Sequence, residues 1–357
     1  MVIRAELKKI FRPIPTVIFA LITAVQLWSY HTLYTAYESS LDYIEAAAEF
    51  TKLYGTEITP EKRLEAESLN MTEGTDFILK NYDLKTYYRY GTFINSMENS
   101  TEVSMSLHKQ TKTSLDSGVY VMQAGYNEKE AERFYEVLNE TPFDLSLEFH
   151  VLIPSLVSLA ALMSIITIFI LCAPLLTRDN LTKATFIQYH SKRGRKTLQS
   201  QLSAILITAF LVTVTHLTAA GVYMFGFFNL TPFLDNLLVS GGLGGNIWFK
   251  GTIAQYLICV TALTFLLTVG FAFLVFLISK ASDNYIGLLL TGIIFTSAFA
   301  FFTQLALSET FSFSAFNLLY QKIRIPYIEI YFCILIFTSA IPFLVYVFKK
   351  YKSCDIV

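Results

Sequence analysis

Few residues in this sequence are placed to do chemistry, and the sharpest of them is a histidine. His216 sits among Thr213, Thr215 and Thr218 inside a long apolar run, Leu202 to Phe228. An ionisable side chain in such surroundings is costly to keep, so it points to a proton relay or a gate. Its neighbouring turns hold no carboxylate to share a proton, and the competing reading is a hydrogen bond between packed helices. Gln26 and Gln304 are polar side chains in two other apolar runs, and with His216 they make up a candidate intramembrane polar site. Catalytic sets are missing. There is no His-Glu-x-x-His metal motif and no Gly-x-Ser-x-Gly nucleophile elbow. Ser240 to Gly245 (Ser-Gly-Gly-Leu-Gly-Gly) lacks the dinucleotide spacing. Gly194-Arg195-Lys196-Thr197 has neither the Gly-Lys pair nor the upstream glycine of a phosphate loop. No enzymatic activity, metal or cofactor is expected of the chain itself.

The elements that must carry these residues are long apolar helices. Of the 357 residues 54% are hydrophobic and only 15% charged, where an ordinary soluble domain carries about 25% charged. The mean hydropathy is +0.48. This composition excludes a disordered chain and a disulfide scaffold. A formal charge of −1 argues against a nucleic-acid binder. A bilayer core takes about 20 apolar residues as a helix. Six runs qualify: Ile14–Tyr34, Val151–Leu176, Leu202–Phe228, Thr252–Ser279, Tyr285–Leu307 and Tyr327–Phe348. The fold class expected is an all-α membrane protein with six transmembrane helices. The first run follows a basic start, but it is longer than the apolar part of a leader and no small-x-small cleavage site follows it.

Lys and Arg in short loops set the orientation. The N-terminal segment carries Arg4, Lys8, Lys9 and Arg12 against Glu6. The loop after the second run carries Arg178, Lys183, Lys192, Arg193, Arg195 and Lys196 against Asp179. The tail carries Lys349, Lys350 and Lys352 against Asp355. Six spans place all three segments on one side, so both termini are expected in the cytoplasm; Lys322 and Arg324 fall on the other side.

Residues 36–150 form a separate segment with 21 acidic and 10 basic residues, a net charge of −11. It is long enough to fold as a small domain, and its pattern is mostly helical. Thr59-Pro60-Glu61 reads as a helix start, and Asn127 with Glu130 as a capping box. Ala131, Phe134, Tyr135 and Leu138 share one helix face. Tyr82, Tyr87, Tyr88, Tyr90 and Phe93 read as the domain's own aromatic core rather than a contact surface. The segment holds no cysteine, which suits a single-membrane bacterial exterior or a fold that relies on packing. Cys172, Cys259 and Cys333 fall within runs and behave as small hydrophobes.

The loop 177–201 is the largest on the cytoplasmic side. Lys183 to Tyr189 is amphipathic enough for a short helix, and His190-Ser191-Lys192-Arg193-Gly194-Arg195 leads into the third run. Charge alone would serve to anchor it on anionic lipid. Phe186, Gln188 and Tyr189 add side chains of defined shape, as a docking helix needs. At this point the chain resembles the permease subunit of type-2 ABC exporters. The likeness rests on the amphipathic segment Val2 to Lys9, the six runs, Asp179 at the loop's start, Ser191 with Gly194 and Arg195 near its end, and the semi-polar segment 308–326.

That resemblance implies three parts: 1–35 as interfacial helix and first span, 36–150 as acidic extracytoplasmic domain, and 151–357 as a five-span membrane domain. It implies that the loop 177–201 is a coupling helix docking on a cytoplasmic ATPase subunit, with Asp179, Phe186, Gln188, Tyr189, Arg193 and Arg195 at the contact. It implies a re-entrant hairpin over 308–326, where Phe311, Phe313 and Phe316 would enter the outer leaflet. A second permease subunit, in a homo- or heterodimer, and membrane lipid are the other partners implied; ATP would be bound by the ATPase. The function expected is export of a peptide, a lipid-like molecule or a drug. A membrane-anchored receptor or sensor, with the acidic domain as ligand binder, is the alternative.

Overall fold

The computed structural model describes residues 2–36, 149–181, 197–236, 238, 249, 251–282, 284–308 and 328–353. The acidic domain, the loop residues 182–196 and the segment 309–327 lie outside them. The described residues are helical almost throughout, with no strand. The helices are α1 (Val2–Ile10), α2 (Pro13–Ala36), α3 (Phe149–Cys172), α4 (Pro174–Leu181), α5 (Thr197–Val222), α6 (Ile253–Ala281), α7 (Tyr285–Ser308) and α8 (Ile328–Ser353). A π turn, Tyr223–Phe227, continues α5.

Five of these helices, α2, α3, α5, α6 and α7, are long and apolar enough to cross a membrane. Even the 24 residues of α2 rise about 36 Å, against a hydrocarbon core of about 30 Å. The sixth run forms a helix too, α8, Ile328–Ser353. Large apolar side chains stand out on the surface, among them Ile14, Trp28, Ile286 and Ile294. A contiguous apolar surface of that extent is unsustainable in water and natural in lipid.

Helix α3 is the hub: α2, α5, α6 and α7 all pack on it. Of its most apolar stretch 67% is buried, against 11% for α2. Sequence explains the difference. Ala160, Ala161 and Ser164 are small and fully buried, which lets neighbouring backbones approach. On α7, Gly292 lies against the ring of Phe169 of α3, leaving no room for a Cβ. Gly270 of α6 does the same for α8: a Cβ there would lie 2.6 Å from Ile336 Cγ2. The hydroxyls of Thr208, Thr213, Thr264 and Thr268 donate to carbonyls of their own helices, which satisfies them without water. The Thr213 and Thr268 hydroxyls also meet across α5 and α6, their oxygens 3.0 Å apart, where one can turn its proton to the other in place of its own carbonyl.

Helix ends follow local chemistry. Pro174 opens α4 one residue after α3 ends, a favoured first helical position for a residue with no N–H. Thr252 and Gln255 form a full capping box at the start of α6. Asn284 accepts from the backbone N–H of Gly287 at 2.6 Å, capping α7 after a tight turn. Asn229, with φ of 47°, reverses the chain after the π turn, a conformation Asn tolerates better than most residues. Helix α5 begins at Thr197, five residues ahead of the apolar run, because the polar turn Gln199-Ser200-Gln201 is itself helical.

Candidate functional site

Two polar networks join the helices. The first lies in the middle of the bundle. Gln26 and Tyr30 are four apart on α2 and so share one face; they are its two buried residues. The Gln26 Nε2 donates to the Tyr30 hydroxyl at 2.8 Å and to the His216 carbonyl at 3.0 Å. Tyr30 in turn donates to the Leu156 carbonyl of α3 at 2.7 Å. With its amide nitrogen spent, Gln26 presents Oε1 to the Nδ1 of His216. That fixes the proton on Nδ1 and leaves Nε2 to accept from the Thr167 hydroxyl, at 3.2 Å. Phe19 covers the imidazole edge-on, with ring centroids 5.7 Å apart.

His216 is therefore fully engaged. Both ring nitrogens are held, and α2, α3 and α5 are tied at one point. This is the arrangement of a structural connector between helices. Gln304 does not join it: from α7 it donates to the Ser158 carbonyl of α3 at 3.3 Å. A transmembrane hydrogen bond contributes roughly 0.6 kcal/mol on average and about 1.7 at most. Replacing His216 by Leu is expected to cost about 1–2 kcal/mol in thermal unfolding of the detergent-solubilised protein. Gln26→Leu added to it is expected to cost less than the sum of the two, because each side chain satisfies the other.

The second network sits where α4 meets α1, α5 and α6. Asp179 is 6% exposed. It accepts from Gln201 Nε2 of α5 at 2.7 Å and from Lys9 Nζ of α1 at 3.4 Å. Lys9 also bonds both oxygens of Glu6, at 3.0 and 3.1 Å, and Glu6 is itself buried. Ile10 of α1 is fully buried beside this pair, and Leu7 and Phe11 pack on the core. On the other flank the Thr177 hydroxyl donates to the Ser279 carbonyl of α6 at 3.1 Å, and the Ser279 hydroxyl donates back to the Ala173 carbonyl. The short helix α4 thus leads directly into the loop 182–196 while gripping three other helices.

Of the residues expected at an ATPase contact, Asp179 faces inward and serves to fix α4. Phe186, Gln188, Tyr189, Arg193 and Arg195 lie outside the described residues. Sequence reasoning missed two participants. Gln201 and Lys9 had no visible link to Asp179. Glu329, in the first turn of α8, is also buried, 2% exposed. No group of three or more metal-ligating side chains occurs among the described residues.

Fold and site together define a class: a protein whose described residues are helical and built around five helices able to cross a bilayer, joined by two polar networks. No protein-family model, curated protein or solved structure matches the chain.

Proposed function

We propose that the chain is the permease subunit of an ABC exporter, moving a peptide, a lipid-like molecule or a drug with ATP hydrolysed by a separate cytoplasmic subunit. In this reading α8 is the sixth span, both termini are cytoplasmic, residues 36–150 are the extracytoplasmic domain, and two permease subunits frame the path. The observation that carries it is the α4 junction. A short helix, offset from α3 by Pro174, is pinned to α1 and α5 by Asp179 and to α6 by Thr177. A push on residues 182–196 would reach α1, α5 and α6 through one short helix, which is what an externally driven domain motion requires. The export reading itself rests on the resemblance in sequence pattern.

The test is co-expression with an ABC-type ATPase subunit from the same genome. The two are expected to co-purify, with ATP hydrolysis stimulated by the permease. Tyr189→Ala or Arg193→Ala should lower that stimulation at least about fivefold, with assembly intact, a loss of roughly 1 kcal/mol of coupling. A chain that binds no ATPase, or variants that hydrolyse as fast as the parent, would sink the reading.

A further inference from the structure

Helix α1 has two faces, and the inner one is accounted for by Glu6, Lys9 and Ile10. On the other, Arg4 and Lys8 are exposed and stand four apart, so they are stacked on one side. Arg12 is exposed at the elbow, where its carbonyl accepts the first bond of α2. Among the described residues, no side chain pairs with the charged group of any of the three. Directly beyond the elbow, α2 presents Ile14, Val17 and Leu21, exposed by 75%, 58% and 61%. With Val25 and Trp28 they follow helical spacing and continue one apolar stripe.

We infer that this corner binds an anionic phospholipid, its headgroup phosphate on Arg4, Lys8 and Arg12 and its acyl chain along the α2 stripe. The two halves of the surface decide the occupant. An acidic soluble protein would neutralise the cations and leave the stripe bare. A neutral lipid would cover the stripe and leave three cations without counter-charge. A molecule with an anionic head on an apolar tail satisfies both. Each basic side chain near an anionic leaflet contributes roughly fivefold in affinity. The site needs only the membrane setting and is independent of ATPase coupling.

The experiment is native mass spectrometry of the full-length chain, released from detergent with equimolar phosphatidylglycerol and phosphatidylcholine of matched acyl chains. Phosphatidylglycerol adducts are expected to exceed phosphatidylcholine adducts by at least about tenfold, and by about a hundredfold if the three contributions multiply in full. The triple variant Arg4→Gln, Lys8→Gln, Arg12→Gln should bring the ratio near parity, while Lys349→Gln with Lys350→Gln should leave most of it. Lys8→Glu alone, a single exposed change, should cut the ratio several-fold and serves if the triple variant elutes aggregated. A ratio near one in the parent, or a ratio untouched by both variants, overturns the proposal. So does displacement of the lipid by millimolar inorganic phosphate, which would mark a free-phosphate site. Loss of ATPase co-purification with lipid preference intact would assign the face to a protein partner instead.

Discussion

Replacing Lys9 by Met is expected to loosen α1 from the bundle and to lower the thermal midpoint by roughly 5 °C. Lys9 is the cation between two buried carboxylates: it contacts both oxygens of Glu6 and one of Asp179. Removing one partner of a fully buried pair costs about 3–5 kcal/mol, because the other charge is stranded away from water. Lys9 keeps 30% of its side chain exposed, so solvent screens part of that, and about 2 kcal/mol is the figure to expect. The sign can be isolated. Lys9→Arg should hold most of the stability. Lys9→Met with Glu6→Gln should recover at least half of the loss, since the neutral amide needs no counter-charge. If the double variant is no better than Lys9→Met alone, charge stranding is not the cause.

The second large effect is steric. Gly292→Leu is expected to destabilise the protein by about 2–3 kcal/mol, the range for forcing extra atoms into a packed interface. A Cβ at this position would overlap the Phe169 ring, and Phe169 is buried in the hub helix. Either the ring leaves its place or α7 moves off α3. The partner can be tested directly: Phe169→Ala should cost stability alone but less when Gly292→Leu is present, a coupling visible in a double-mutant cycle. Gly221 is the control. Nothing lies within 4 Å of a Cβ built there, so Gly221→Ala should be neutral or gain up to about 1 kcal/mol from helix propensity.

How much of this could be read in the sequence depended on the length scale of the cause. The apolar runs were legible because hydrocarbon thickness imposes a minimum length on each, and the helices begin and end within a few residues of them. The ends differ where polar residues continue a helix, as Gln199 to Gln201 do at α5. His216 and Gln26 stood out by type, but they are 190 residues apart, and no local pattern announces their pairing. Gln304 was legible on the same grounds and does not join them, because α7 meets α3 elsewhere. Lys9 and Asp179 show the limit most clearly. Each was read for a separate purpose, one as an orienting charge and the other as a docking residue, and only packing across 170 positions makes them one contact.

The pairing of Gln26 with His216 also sets a schedule for biogenesis. Helix α2 is made before α3 and α5, and its two buried polar side chains need partners supplied by Leu156 and His216. Translation at roughly 5–20 residues per second delivers a residue 190 positions later after about 10–40 s. For that interval Gln26 has no tertiary partner, while Tyr30 meets the Leu156 carbonyl 126 positions on. A nascent helix in this position is expected to wait at the translocon or against an insertase rather than drift into lipid, and to release only when α5 arrives.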